Sequence, residues 1–322
     1  MNDAISRFAI VRQHLPVEFR DSVLVESWSN DTWVNEELVL RVCWRGDRER
    51  LLREHELLIT LPISVPHASA VAFGRIADLT WMLLRRIQGE RLDLVWPSLS
   101  IDARRDAVLS LGNVLSNLHD WVPPPNIRKM LLHSTLTVPA SRDAVVGSTI
   151  VPLPLERVAL LLDCLESFPG MSEELLRRVR MRIDSLGSVF SASELEDGLV
   201  IHGDAHFANA LWFEGCLVAL LDFEWARIGP SDLELEAACR EDPIIEDAAE
   251  SGPIPASEVP MLVWLRAGYP ELFIRENLTE RLWLYELCHQ VRQLSGTGIV
   301  SLDQLQLKRL NILAAGPRVR FA

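Results

Sequence analysis

His202–Asn209, H-G-D-A-H-F-A-N, with Asp222-Phe223-Glu224 downstream, decides how this chain reads. The short apolar run Leu199–Ile201 leads into it and predicts a strand. Ala210–Phe213 and Leu217–Leu221 are two further apolar runs, separated by the turn signal Glu214-Gly215. Two such runs around a glycine turn predict a hairpin. Asn209 and Asp222 flank that hairpin at nearly equal distances from its turn, so they should lie side by side at its open end, next to Asp204. Two carboxylates and a carboxamide thus converge. Few, hard oxygen ligands suit Mg²⁺ that is also held by substrate phosphates. A carboxylate kept off the metal can accept a hydroxyl proton. These are the parts that phosphoryl transfer requires.

On the N-terminal side, Ser22–Glu26 and Leu38–Trp44 read as strands, with the polar turn-forming segment Trp28–Thr32 between them. Arg48–Leu61 switches to helical spacing and is ended by Pro62 and Pro66. Val71–Phe73 and Trp81–Ile87 read as two more strands. The pattern β–β–helix–β–β predicts a small lobe over residues 1–88. Residues 89–322 read as a second, mostly helical lobe. Its predicted helices include Asp102–Leu118, stopped by Pro123-Pro124-Pro125, then Glu156–Ser167 and Ser172–Phe190, with Ser172 as N-cap. Ser134–Leu155 is poorly patterned and reads as a long loop or insertion. The region after Pro260 is again helical, and its Trp264, Tyr269, Trp283 and Tyr285 read as core.

Composition narrows the function. The 322 residues are 48% hydrophobic and 24% charged, as in an ordinary globular protein, and carry a net charge of −13. That balance argues against nucleic acid or an anionic membrane as partner. No apolar run approaches the ~20 residues of a membrane helix, and the N-terminus has no secretory pattern. The five cysteines form no C-x-x-C pair, which predicts buried thiols in a reducing, cytoplasmic setting. The lysines are Lys129 and Lys308 only, so a phosphate contact before Lys129 must come from arginine.

His202–Asn209 followed by Asp222 resembles the H-G-D-x-H-x-x-N…D signature of the aminoglycoside phosphotransferase and choline kinase family. Supporting similarities run through most of the chain: Ser29-Asn30 in a nucleotide loop, Leu40-Arg41-Val42 on a third strand, Arg53-Glu54 in the first helix, Leu83–Gly89 as an inter-lobe linker, Leu111–His119 as a helix ending in L-H, and Asp222–Leu233 as the segment carrying G-P-x-x-D-L. The resemblance implies an α+β, two-lobed protein-kinase-like fold, with a small β-rich N-terminal lobe and a larger helical one. It implies transfer of the γ-phosphoryl group of ATP or GTP, with Mg²⁺, to a hydroxyl of a small molecule. Asp204 would orient or deprotonate that hydroxyl, and Asn209 and Asp222 would hold the metal. Ser29, Asn30, Arg41, Glu54, Arg85 and Ile87 would form the nucleotide side, with Glu54 paired to Arg41. Asp232 would brace the catalytic loop. The leading acceptor is an antibiotic, an aminoglycoside or another sugar-bearing one. A cationic acceptor could be drawn by the acidic run Glu241, Asp242, Glu246, Asp247 and Glu250. A metabolic kinase for choline, homoserine, a sugar or a nucleoside-like compound is the alternative.

Three departures stand out. Trp28-Ser29 replaces the usual glycine of the nucleotide loop, Arg41 stands where a lysine is common, and Phe223-Glu224 follows the metal aspartate. Two readings of other classes remain. His202-x-Asp204-x-His206 permits a metallohydrolase, and a non-catalytic nucleotide-binding module would share the fold. His202 itself is expected to pack under the loop and bond its backbone.

Overall fold

The computed structural model describes residues 3–25, 27, 30–136, 138, 153–166, 171–191, 193–240, 242–248, 251–294 and 304–322. The chain opens with α1 (Ala4–Arg12), capped by Asp3, whose carboxylate accepts the Ser6 amide at 2.8 Å. A five-stranded sheet follows, built from β1 (Val23–Val25), β2 (Asp31–Val34), β3 (Leu38–Cys43), β4 (Ala70–Ile76) and β5 (Leu79–Arg85) in the order β1-β2-β3-β5-β4. Every neighbouring pair is antiparallel. The helix α2 (Arg50–Leu58) lies between β3 and β4 in the chain.

Strand β2 corrects the sequence reading, which placed a turn over Trp28–Thr32. A turn-type residue starts the strand because its polarity is satisfied there. Asp31 accepts from Arg7 at 2.6 and 3.0 Å and from the Trp44 indole at 3.1 Å, while Trp33 packs into the core.

Side-chain alternation explains how the sheet serves the site. Leu40 and Val42 of β3, with Leu79, Trp81 and Leu83 of β5, pack toward Val11 and Phe19. The opposite parity, Cys43 with Met82 and Leu84, packs with Leu51, Leu57 and Leu58 of α2. Arg41 has the parity of Cys43, so it emerges on the α2 face.

After the sheet, β6 (Glu90–Arg91) and α3 (Leu92–Val95) lead to α4 (Ile101–Asp120), capped by Ser100. The proline run ends α4 as expected, but Pro125 also begins α5 (Pro125–Leu136), a helix the sequence reading did not anticipate. Most of the expected loop, residues 139–152, lies outside the described residues. Next come α6 (Leu155–Glu166) and α7 (Glu173–Leu186), whose cap is Ser172, accepting from the Leu175 amide at 3.3 Å. Strands β7 (Leu199–Ile201), β8 (Ala210–Phe213), β9 (Cys216–Leu220) and β10 (Arg227–Gly229) form two small antiparallel sheets, β8 lying between β6 and β9 and β7 pairing with β10. The remaining helices are α8 (Glu234–Arg240), α9 (Pro243–Ala248), α10 (Pro260–Gly268), α11 (Leu278–Leu294) and α12 (Gln304–Ala315). Helices α6, α7, α11 and α12 share one core. Helices α4 and α10 approach closely enough that a Cβ on Gly268 would meet the Leu109 carbonyl oxygen at 2.6 Å. No helix of the described residues is long and apolar enough to cross a membrane.

Candidate active site

The hairpin forms as its sequence dictates, with Phe213 paired to Cys216 across the two-residue turn. At its open end the Leu221 amide donates to the Asn209 carbonyl at 2.7 Å, which brings Asn209 and Asp222 together. The Asn209 amide nitrogen donates to the Asp204 carbonyl at 2.9 Å and to its carboxylate at 3.2 Å. Its oxygen is then the group it offers to a cation. Asp222 has left-handed backbone angles, φ 64° and ψ 58°.

His202 is buried beneath this loop. Its Nδ1 accepts from the Asp204 amide at 3.2 Å, so Nε2 carries the hydrogen and donates to the Leu221 carbonyl at 2.9 Å. With both nitrogens engaged, His202 has no lone pair for a metal, and the metallohydrolase loses a ligand. Gly203 has φ +76°, and a Cβ there would stand 2.9 Å from the Trp225 carbonyl oxygen. Only glycine suits both the angle and the approach.

The nucleotide-side residues converge on Asp222. Arg41 Nη1 donates to both oxygens of Glu54, at 2.7 and 2.6 Å, and Nη2 donates to Asp222 at 2.6 Å and Glu224 at 2.9 Å. Glu54 also accepts the Phe223 amide at 3.1 Å, tying α2 to the segment after Asp222. Burial pushes the Glu54 carboxyl up, and Asp222 and Glu224 push it further, against the pull of Arg41. Burial likewise raises Asp222, with Glu224 and Asp204 adding to it and Arg41 opposing. Ligand atoms of Glu54, Asp222 and Glu224 lie within 4.8 Å of one another. This excess of carboxylate over arginine is the environment a divalent cation fits.

Glu224 was not singled out from the sequence. It is almost fully buried and also accepts from Asn30 at 3.0 Å, with Arg50 Nε 3.2 Å away. The Asn30 oxygen in turn accepts from Arg50 at 2.9 Å. Asn30 therefore anchors its loop to α2 and Glu224 through its side chain. Ser29 lies outside the described residues. At the end of β5 the Arg85 amide donates to the Ser69 carbonyl at 2.9 Å, and Ile87 packs partly buried against the core.

Asp204 is held from the other side. Arg240 Nη2 donates to it at 2.7 Å, and His206 Nε2 lies 3.4 Å from its second oxygen. Burial alone would raise this carboxyl, but His206 and Arg240 hold it well below the usual range. Asp204 is thus ionised and oriented. The brace expected from Asp232 comes instead from Glu234, which accepts the amides of His202 and Gly203. Behind it, His119 lies 3.6 Å from Glu234 and bonds the Tyr269 hydroxyl at 3.0 Å. Asp232 serves elsewhere, accepting from Arg281 at 2.7 and 3.1 Å and from the Tyr285 hydroxyl at 3.0 Å.

A cavity of about 480 Å³ is walled by Ala205, His206 and Phe207, which follow Asp204 in the loop, and by residues of α4, α8, α9 and α10. Trp264, expected in the core, lines it. Of the acidic run, two described members are engaged within the protein and Asp247 is exposed. Glu246 is bound by Arg309 and Arg318, and Asp242 accepts the amides of Ile244 and Ile245 at the start of α9. Glu241 and Glu250 lie outside the described residues.

With this geometry established, residues 22–249 match the model of the phosphotransferase enzyme family APH. The chain belongs to that family. No curated protein sequence matches it. Among solved structures, the gentamicin complex of APH(2″)-IIa superposes with a TM-score of 0.66 at 14% identity, covering 99% of this chain and 98% of the other. Aminoglycoside-3′-phosphotransferase of type VIII gives 0.59 at 19% identity, covering 90% and 100%. Spectinomycin phosphotransferase APH(9)-Ia, in complex with ADP and spectinomycin, gives 0.59 at 13%, covering 98% and 96%. These likenesses establish the protein-kinase-like fold of the aminoglycoside phosphotransferases.

Proposed function

We propose that this phosphotransferase moves the γ-phosphoryl group of ATP or GTP to a hydroxyl of a small molecule. The observation that carries this is the meeting of Asp204, Asn209 and Asp222 at one hairpin end, with the Arg41–Glu54 ion pair reaching Asp222 directly. ATP, ADP and AMP-PNP in the complexes of structural neighbours support a nucleotide co-substrate. The antibiotics in those complexes, among them streptomycin and hygromycin B, support a small-molecule acceptor.

In this reading residues 1–88 hold the nucleotide and residues 89–322 carry the catalytic loop and the acceptor. The base edge meets the backbone between Arg85 and Ile87. Asn209 and Asp222 would hold Mg²⁺, which would supply positive charge against the phosphates. Arg41, fixed by Glu54, presents its guanidinium beside Asp222 and sets that carboxylate's position. Asp204, kept ionised by Arg240 and His206, orients the acceptor hydroxyl and takes its proton as the bond to phosphorus forms. Positioning and electrostatics supply most of the catalysis. The setting is cytoplasmic, where nucleoside triphosphates are available.

A coupled ADP/GDP-release screen against antibiotics and metabolite alcohols tests the reading. Acceptor-dependent release should appear, and Asp204→Ala should reduce it on the order of 10²-fold or more with nucleotide affinity retained. Near-normal turnover in Asp204→Ala would remove Asp204 from the mechanism.

A further inference from the structure

The cavity beside Asp204 says more about the acceptor than overall charge does. Ala205, His206 and Phe207, which directly follow Asp204, form one wall. His206, in that wall, has its Nε2 3.4 Å from the carboxylate of Asp204, the residue assigned to take the hydroxyl proton.

The walls are apolar. The Trp96 and Phe207 rings lie with centroids 4.4 Å apart, and Trp264 and Met261 contribute from α10. Val108 and Leu111 of α4 and Leu265 of α10 form the floor, where the close contact at Gly268 draws the two helices together. Ala237 and Ala238 of α8 keep the remaining side open. The rim is apolar too. Ile101 is 63% exposed and Ile244 44%, large hydrophobes left in solvent at the mouth.

The charged groups at the cavity are already engaged. Asp93 accepts from Arg91 at 3.0 and 2.6 Å. Asp242 caps α9 with its carboxylate. Arg104 donates to the Trp96 and Pro97 carbonyls at 3.0 and 3.1 Å. His206 accepts the Ala208 amide on Nδ1 and turns Nε2 to Asp204. A polyamine entering this space would lose its hydration, and among the described residues the lining offers its several charges only two carboxylates, Asp93, already paired with Arg91, and Asp242, whose Oδ1 takes two backbone amides. Desolvating an ammonium without a partner is costly.

We infer that this cavity takes an uncharged alcohol with a large apolar body and its hydroxyl at one end, rather than a polycationic sugar. The assignment rests on the kinase reading only for calling this molecule the acceptor. The volume of about 480 Å³ falls within the roughly 300–1,000 Å³ typical of small-molecule sites, which are mostly apolar with few polar groups fixing orientation. The acidity of the chain, −13 overall, is then a surface property and not a recognition device.

Calorimetry on the full chain decides the point, with 2-naphthaleneethanol and estradiol as apolar probes, kanamycin as the polycation and glucose as the neutral polar control. The apolar alcohols should bind with Kd on the order of 100 µM or tighter, and kanamycin and glucose at least about 10-fold more weakly. With Mg·ATP, phosphate monoester of a bound alcohol should appear by phosphorus NMR. Ala238→Asp on α8 and Met261→Glu on α10 should each weaken the apolar probes about 10-fold or more while ADP affinity stays unchanged. That unchanged affinity also reports that the variants fold. Kanamycin or glucose binding as tightly as the apolar probes, or absence of binding by both apolar probes, overturns the inference. Apolar binding in a protein that fails to bind Mg·ATP keeps the cavity assignment and overturns the kinase reading instead.

Discussion

Two buried ionic clusters in this molecule use the same chemistry to opposite ends. Around Asp232, charge is balanced and closed, with Arg281 and Arg275 facing Asp232 and Glu194. Arg281 grips Asp232 through two nitrogens, Tyr285 adds a hydroxyl, and Glu194 sits 2.9 Å from the same guanidinium. Around Asp222, Arg41 faces Glu54, Asp222 and Glu224 together, and Arg50 meets Glu224 from behind, which leaves one carboxylate in surplus. Nearly a third of the Asp222 side chain is open to solvent, whereas Asp232 has none exposed. The first cluster holds helix α11 against the segment before α8. The second keeps negative charge concentrated at the hairpin end, where a cation bound to phosphates would complete it. Paired burial fixes a structure, and an exposed surplus of one sign prepares a site.

Removing one carboxylate from each cluster should break the likeness. Asp232→Ala removes both carboxylate bonds to the buried Arg281, leaving it Glu194 alone, and should cost about 3 kcal/mol in urea unfolding, the low end of the penalty for half of a buried pair. A loss below about 1 kcal/mol would show that Asp232 is not the closed cluster's centre.

Arg41 sharpens the comparison from the cationic side. Arg41→Ala should raise the KM for the nucleotide about 10-fold or more with the acceptor KM little changed, and Arg41→Lys should be only partly active. A lysine carries the charge but cannot span Glu54, Asp222 and Glu224 with two nitrogens. An unmoved nucleotide KM in Arg41→Ala would refute the strand-three assignment. The smallest effect lies outside both clusters. Ser172→Ala should lower stability by about 1 kcal/mol through loss of the α7 cap, with kinetics unchanged.

The contrast also explains what the sequence disclosed. The catalytic loop and hairpin were legible because strand, turn and strand are contiguous, so the positions of Asn209 and Asp222 follow from counting. The Arg41–Glu54 pair was legible only through the family's order of motifs. Glu234, Arg240 and Glu224 escaped because their partners are far along the chain: Glu234 bonds the amides of His202 and Gly203, Arg240 bonds Asp204, and Glu224 meets Asn30 and Arg41. Asp232 drew the brace assignment that belongs to Glu234, since both acids sit near the start of α8 and only packing shows which faces the loop. Strand β2 was hidden because Asp31 looks like a turn residue until Arg7 and Trp44 are beside it. The character of the acceptor cavity was hidden for the same reason. Its walls come from α4, α8, α9, α10 and the loop, and of the acidic run that suggested a cationic partner, Glu246 is engaged with Arg309 and Arg318 and Asp242 with backbone amides.

The central claim is that the surplus carboxylate at Asp222 is a functional cation site and not a structural pair. Calorimetric titration of Mg²⁺ and ADP into the wild type and Asp222→Asn, with urea unfolding of both, tests it most directly. The account predicts that Asp222→Asn keeps its stability within about 1 kcal/mol, because it removes one negative charge from a crowded cluster. It also predicts at least about 10-fold weaker Mg·ADP binding, partly restored by excess Mg²⁺. Unchanged Mg·ADP affinity with a loss of several kcal/mol in stability would contradict it, and would place Asp222 in the same class as Asp232.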